Sequence, residues 1–210
     1  MDRLTRLGLT LIAAAFSGCA ATVTPKDTAA PVPLASMCSV RDGKALDPLW
    51  GEHGSFVVLV FISTECPIAN AMAPDLRSLS HHCAKSEVDF HPVYPSSWQS
   101  REELLAHARE FGLDAGPGPA TAPIADPKHI LVERVGATVV PEAVLLRRDG
   151  AGGVEVLYRG RVNDLYVGIG RRRPMISSND LRDAIDAAVA GSPLPPPFPK
   201  AVGCFIDSSR

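Results

Sequence analysis

The clearest pattern in the chain is a continuous apolar run over residues 56–62, rich in β-branched and aromatic side chains. A run of this length that is apolar on both faces is typical of a strand in the centre of a covered sheet. Apolar side chains then recur at helical spacing, at Met72, Leu76 and Leu79. This spacing predicts a helix over 67–82, and Pro74 is expected to kink it because proline has no N–H to donate.

The rest of the pattern alternates between strands and helices. The predicted strands cover 88–94, 143–147 and 155–159, and the predicted helices cover 101–111, 129–135 and a last segment that opens near Ser178 and stops before Gly191. The dipeptide Asp149-Gly150 is a hairpin signal between the last two strands. Elements in this order predict an α/β fold whose sheet is covered by helices on both faces.

Composition narrows the class of protein. The 210 residues are 46% hydrophobic and 21% charged, which is typical of a soluble globular chain with room for one domain and its appendages. The net charge of -2 gives no electrostatic reason to expect nucleic acid as a partner. The six histidines are scattered without a short ligand spacing, so we expect no metal site and no cofactor.

The first 16 residues combine a small positive region with a short apolar stretch. Phe16-Ser17-Gly18-Cys19 follows, and small residues before a cysteine at this place resemble the lipobox of bacterial lipoproteins. The resemblance implies a signal peptide over 1–18 and a lipidated Cys19, which would hold the protein to a membrane without a spanning helix. It also implies the cell envelope, on the periplasmic side of an outer membrane, because Ala20 follows the cysteine. The alternative is an ordinary signal peptide, which would give an unlipidated secreted protein.

The rest of the chain divides into three parts. Residues 19–36 are rich in Ala, Thr, Pro and Val, a composition that predicts an extended tether. The folded domain is expected over 37–192. Residues 193–210 then form a Pro-rich linker and a tail that contains Cys204.

Four cysteines remain for chemistry once Cys19 is assigned to lipid: Cys38, Cys66, Cys83 and Cys204. Four thiols in an oxidising compartment can form two disulfides, and the residues alone leave all three pairings open. Cys66 stands between the buried strand and the predicted helix, where unpaired backbone N–H groups and the helix dipole favour a thiolate. Cys66 is therefore the candidate nucleophile, and the alternative is a buried, inert cysteine.

Two motifs resemble a known superfamily. Phe61-Ile62-Ser63-Thr64-Glu65-Cys66-Pro67 resembles the redoxin branch of the thioredoxin superfamily, and Val139-Val140-Pro141 resembles its cis-proline loop. The resemblance covers about residues 37–192 and implies a thioredoxin-like fold, an α/β arrangement with a central mixed β-sheet flanked by helices on both faces. It also implies that Pro141 packs beside Cys66 and shapes a substrate groove.

Departures from the superfamily pattern leave the reaction open. Ala69 stands where a dithiol motif needs its second cysteine, so Cys66 has no local partner. The leading hypothesis is an extracytoplasmic thiol-disulfide oxidoreductase that acts on protein thiols or disulfides. Ser63 and Thr64 resemble part of the peroxiredoxin signature, although Leu59 replaces its proline, so a thiol peroxidase acting on peroxide is the alternative. A further alternative is a non-enzymatic envelope-binding domain with a permanent disulfide.

The tail motif Ala201-Val202-Gly203-Cys204-Phe205-Ile206 is similar to the Gly-Cys-aromatic-Ile ending of some envelope redoxin-like proteins. This resemblance implies a Cys66–Cys204 bridge, in which Cys204 is either the resolving thiol or a staple for the tail. A structural pair between Cys38 and Cys83 is then favoured.

Two other features have structural interpretations. Arg159 and Arg161 are candidates for stabilising a thiolate, but a salt bridge to Asp164 is favoured. Trp98 is expected to pack against the domain.

Overall fold

The computed structural model describes residues 36–49, 55–116, 119–149, 153–194 and 198–207. The described residues belong to one compact unit. Cys19, the expected signal peptide and most of the expected tether lie outside the described residues.

Ten short or medium strands, five α-helices and one turn of 3₁₀ helix (Pro119–Thr121) are found in the described ranges. The strands are β1 (Cys38–Ser39), β2 (Phe56–Phe61), β3 (Asp89–Tyr94), β4 (Ile124–Ala125), β5 (Val139–Val140), β6 (Glu142–Arg148), β7 (Val154–Gly160), β8 (Tyr166–Gly168), β9 (Arg171–Arg172) and β10 (Cys204–Phe205). The helices are α1 (Pro67–Ala71), α2 (Ala73–Lys85), α3 (Arg101–Glu110), α4 (Ile130–Val135) and α5 (Asp180–Val189).

Six strands form the main sheet in the order β1-β4-β3-β2-β6-β7. β2 is parallel to β3 and antiparallel to β6, so the sheet is mixed, and helices flank it. Residues 57–61 of β2 have no exposed surface. The apolar run therefore forms the central strand, and the predicted α/β fold is confirmed.

The predicted long helix is interrupted at Met72, between α1 and α2. Pro74 lies in the first turn of α2, where its missing N–H would otherwise bond to the carbonyl of Asn70. The chain continues instead through the carbonyl of Met72, which accepts from the N–H groups of Asp75 and Leu76. The predicted kink is confirmed, and α2 extends three residues beyond the predicted end.

Short strands are where sequence and structure differ most. The sequence pattern predicts none of β5, β8, β9 and β10, because two- or three-residue strands carry no readable periodicity. The tail that contains Cys204 is held against the domain, because β10 pairs antiparallel with β5 and places Cys204 opposite Val140. None of the helices in the described part of the chain combines the length and apolarity needed to cross a bilayer.

Candidate active site

Cys66 lies just beyond the carboxyl end of the central strand. It is the N-cap residue of α1, and its carbonyl oxygen accepts from the N–H of Asn70 at 3.0 Å. The turn that leads to it is closed by the N–H of Cys66, which donates to the carbonyl of Ser63 at 3.3 Å. Only 1% of the Cys66 surface is exposed, so its sulfur is reached through the groups that cover it.

The thiol of Cys204 contacts the sulfur of Cys66. Both cysteines are free, and the Cys204 S–H donates to the Cys66 sulfur across 3.2 Å. This hydrogen bond, together with burial and the charge of Cys66, raises the pKa of Cys204 to about 11. Cys204 itself is exposed, which makes it the more accessible sulfur of the pair.

The loop before β6 completes the environment of Cys66. The peptide bond between Val140 and Pro141 is cis, as the motif predicts, and Pro141 is buried. The Cys66 thiol donates to the carbonyl oxygen of Val140 at 3.1 Å. The buried carboxylate of Glu142 accepts from the N–H of Thr138 at 2.7 Å, and this hydrogen bond holds the loop in place.

The two predicted hydroxyl residues support the turn before Cys66. The hydroxyl of Ser63 accepts from the N–H of Glu65 at 3.3 Å, and the hydroxyl of Thr64 accepts from the Gln99 side chain at 2.7 Å. Ser63 also lines the cleft beside Cys66. Each hydroxyl therefore has a role in shaping the loop.

A chain of hydrogen bonds extends from this turn into the core. The Asn70 amide donates to the carbonyl of Thr64 at 2.9 Å, and its oxygen accepts from Nε2 of His107 at 2.9 Å. Nδ1 of His107 then accepts from the hydroxyl of Tyr94 at 2.9 Å. Burial lowers the pKa of His107, which agrees with the neutral tautomer that these bonds require. Sequence reasoning missed this chain, because its members lie on separate elements and show no common spacing.

A cleft of about 560 Å³ opens above the two sulfurs. Two exposed aromatic side chains line it: Trp98 is 47% exposed and Phe205 is 84% exposed. Trp98 was expected to pack against the domain, and the structure leaves about half of its surface exposed, at the wall of this cleft. The charged side chains that line the cleft in the described part of the chain are Glu65 and Asp207.

The other two cysteines do not form the expected pair. Cys38 lies on the edge strand β1 and Cys83 lies on α2, and both are free and buried. Burial raises the pKa of both thiols, that of Cys83 to about 12. The favoured Cys38–Cys83 bridge is therefore not formed in this structure.

The arginines expected near the thiolate have other partners. Arg159 donates to the carbonyl oxygens of Val135 and Gly136. Arg161 forms its salt bridge with Asp180 at 2.7 Å, not with the expected Asp164, because the start of α5 is folded against it. No cluster of three His, Cys, Asp or Glu side chains within the described ranges is arranged to hold a metal ion.

The arrangement of sheet, cysteine and proline decides the fold class. A mixed sheet, a cysteine capping the helix after its central strand and a cis-proline loop in contact with that cysteine occur together here. The fold is thioredoxin-like.

Other proteins of known structure share this fold. No family model matches the chain, and no curated protein matches it in sequence. A structure of an uncharacterized conserved protein from Geobacillus kaustophilus superposes with a TM-score of 0.69 at 22% identity, over 86% of this chain and 92% of that one. A hypothetical protein from Sinorhizobium meliloti gives 0.59 at 21% identity, over 72% and 79%. A secreted Mycobacterium tuberculosis disulfide oxidoreductase homologous to E. coli DsbE gives 0.48 at 18% identity, over 72% and 94%.

Proposed function

We propose that this protein is a thiol-disulfide oxidoreductase in which Cys66 is the nucleophile and Cys204 is the resolving cysteine. The observation that carries the proposal is the 3.2 Å contact between two free thiols, one buried beside a cis-proline loop and one exposed on a strand of the tail. Two sulfurs in contact can form a disulfide by a small movement, since a disulfide needs only about 2.05 Å between them.

The reaction is a pair of thiol-disulfide exchanges. The thiolate of Cys66 attacks one sulfur of a protein disulfide, which forms a mixed disulfide and expels the other substrate sulfur as a thiolate. Cys204 then loses its proton and attacks the sulfur of Cys66, which releases the substrate as a dithiol and leaves a Cys66–Cys204 bridge. The substrate disulfide is reduced and the two protein thiols are oxidised, so atoms and electrons balance. The same steps in reverse oxidise a substrate dithiol.

This function fits the site better than a thiol peroxidase does. In exchange chemistry the thiol of Cys204, 3.2 Å from the sulfur of Cys66, has a direct role as the resolving thiol. The hydroxyls of Ser63 and Thr64, which the peroxidase would use, accept hydrogen bonds from the N–H of Glu65 and the side chain of Gln99. A reversible Cys66–Cys204 bridge is proposed over a permanent one because Cys204 is exposed, so a reductant can reach it.

The deciding experiment is disulfide mapping by mass spectrometry across a series of glutathione redox buffers. We expect one reversible bridge, between Cys66 and Cys204, with a midpoint between about -120 and -270 mV, the range of thiol redox catalysts. Cys83→Ala is the matched control, because this buried thiol lies outside the site and its loss should leave the midpoint unchanged. A bridge that stays closed at the reducing end of the series would contradict the proposal.

We also propose that the protein works in the cell envelope, held to a membrane by lipid on Cys19. The support is the lipobox-like motif, and an oxidising compartment is where protein disulfides are available as substrates. Detergent phase partitioning of the full chain expressed in a bacterium tests the anchor. The protein should enter the detergent phase, and Cys19→Ser should move it to the aqueous phase; equal partitioning of the two would refute lipidation at this residue.

A further inference from the structure

Residues 203–206, here called the tail strap, occupy the edge of β5. Cys204 pairs with Val140, and the N–H of Ile206 donates to the carbonyl of Thr138 at 3.0 Å. Within the described residues β10 is the strand partner of β5, so this edge is filled by the tail alone. Backbone groups along such an edge can pair with any extended segment, because the ladder does not depend on side chains.

Gly203 determines how closely the strap approaches the active-site loop. A Cβ atom at this position would lie 1.9 Å from the carbonyl oxygen of Val140 and 2.5 Å from its carbonyl carbon. Both are backbone atoms of the loop that contacts Cys66, so they cannot move aside as a flexible side chain would. A segment that lies against this loop with its cysteine opposite Val140 therefore needs a glycine immediately before that cysteine.

The strap is attached so that it can leave locally. Just before it, the ring of Phe198 packs on Tyr158 with centroids 4.9 Å apart, and the carbonyl of Pro199 accepts from the N–H of Arg161 at 3.0 Å. The strap beyond this anchor is a short ladder, and its Phe205 side chain is 84% exposed. Segments with few buried contacts open at low free energy while the rest of a domain stays folded.

From these observations we infer that the strap occupies the position on β5 in which a segment of the substrate binds. The substrate is an extended segment of another polypeptide that displaces the strap and pairs antiparallel with β5. A glycine precedes its disulfide-bonded cysteine, and that cysteine lies opposite Val140. A large apolar residue after the cysteine takes the place of Phe205, beside the exposed Trp98. This inference rests on the proposed function, for which it names the substrate class.

The strap and the substrate segment bind the same edge of β5, and this determines the order of events. The strap leaves, the substrate cysteine lies next to Cys66, and the exchange forms the Cys66–substrate disulfide while the substrate's former partner departs as a thiolate. The substrate segment, still bonded to Cys66, then leaves the edge of β5. The strap returns with Cys204, which attacks the Cys66 sulfur and releases the reduced substrate. A substrate segment on β5 and the seated strap exclude each other, so Cys204 resolves the mixed disulfide only after that segment has left the edge.

The test uses the full chain with Cys204→Ser, which removes the exposed thiol that would itself attack the probe. The probe is an end-capped peptide with the sequence of residues 200–207, its cysteine joined to thionitrobenzoate by a disulfide. Attack by Cys66 releases the coloured thionitrobenzoate. Three comparison probes are the same peptide N-methylated at its isoleucine, the same peptide with alanine in place of glycine, and glutathione joined to thionitrobenzoate.

The intact peptide should react about tenfold faster than the N-methylated one, since one backbone hydrogen bond is lost from the ladder. The alanine peptide should be slowed at least as much. Adding Gly203→Ala to the protein should accelerate the intact peptide several-fold by unseating the strap. Gly168→Ala is the matched control, because a Cβ there meets nothing closer than 3.5 Å.

Equal rates for the intact and N-methylated peptides, or no acceleration by Gly203→Ala, would overturn the inference while leaving exchange chemistry at Cys66 intact. Failure of every probe, glutathione included, to react with Cys66 would instead overturn the proposed function itself.

Discussion

Cys204 lies opposite Val140 in the ladder between β10 and β5, and this register puts its sulfur 3.2 Å from that of Cys66. The two cysteines are 138 positions apart in the chain. Because the carbonyl of Val140 also accepts from the Cys66 thiol, one short loop holds both sulfurs in place. The second thiol of this site is supplied by tertiary structure and not by a local sequence motif.

Replacing Cys66 with alanine should lower the pKa of Cys204. The Cys204 S–H donates to the Cys66 sulfur, and this bond is the main reason that its pKa is raised to about 11. Without it the pKa should move toward the ordinary value of about 8.5, which would raise the thiolate fraction at pH 7 by more than about tenfold. Thiolate absorbance against pH in a Cys38→Ala, Cys83→Ala background measures this directly. An unchanged pKa would mean that burial alone sets it.

Asn70→Ala should slow the first exchange at Cys66 without changing the fold. The Asn70 amide joins the turn at Thr64 to His107 in the core, and its loss leaves both partners without that bond. We expect a loss of about 1–3 kcal/mol in the free energy of unfolding and a several-fold slower release of thionitrobenzoate. Asn179→Ala is the matched control, since Asn179 caps α5 without a side-chain hydrogen bond. Equal rates for the two variants would show that the network does not position Cys66.

Stability should decrease as the pH falls below about 6.5, the ordinary pKa of histidine. Burial lowers the pKa values of His91 and His107, so below pH 6.5 the unfolded chain binds protons that the folded chain does not. Each such histidine changes the free energy of unfolding by at most about 1.4 kcal/mol per pH unit. This maximum slope applies between the pKa of the folded state and that of the unfolded state. The free energy of unfolding, measured with a chemical denaturant at about pH 7.5, 6.5 and 5.5, should decrease along this series. His107→Gln should flatten the curve, and an unaltered slope in this variant would contradict the assignment.

Phe198→Ala should weaken the Cys66–Cys204 bridge although it touches neither sulfur. The Phe198 ring packs on Tyr158 and anchors the tail, so its loss lets the thiol of Cys204 sample more positions. The effective concentration of one thiol at the other then falls, and the equilibrium constant for bridge formation against glutathione should fall about three- to tenfold. Val189→Ala, which trims a half-exposed side chain on α5, should leave that constant unchanged. If both variants behave alike, the anchor is not what holds the pair.

Much of the fold could be predicted from local patterns. The apolar run before Cys66 forms the central strand, and Pro74 divides the helix that follows it, since both effects act within a few residues. The cis-proline loop could be predicted from its motif. Local patterns did not determine the partner of Cys38 or Cys83, and both are free thiols in the structure.

By itself, the sequence determined the order of the main elements, the position of Cys66 at a helix start and the choice of Pro141 for the loop beside it. Only the tertiary structure decided that the tail becomes a strand on β5, that Gly203 lets it approach, and that His107 supports the turn before Cys66. The physical reason is range. Periodicity and proline act on neighbouring residues, whereas a two-residue strand gains its stability from a partner more than 60 positions away.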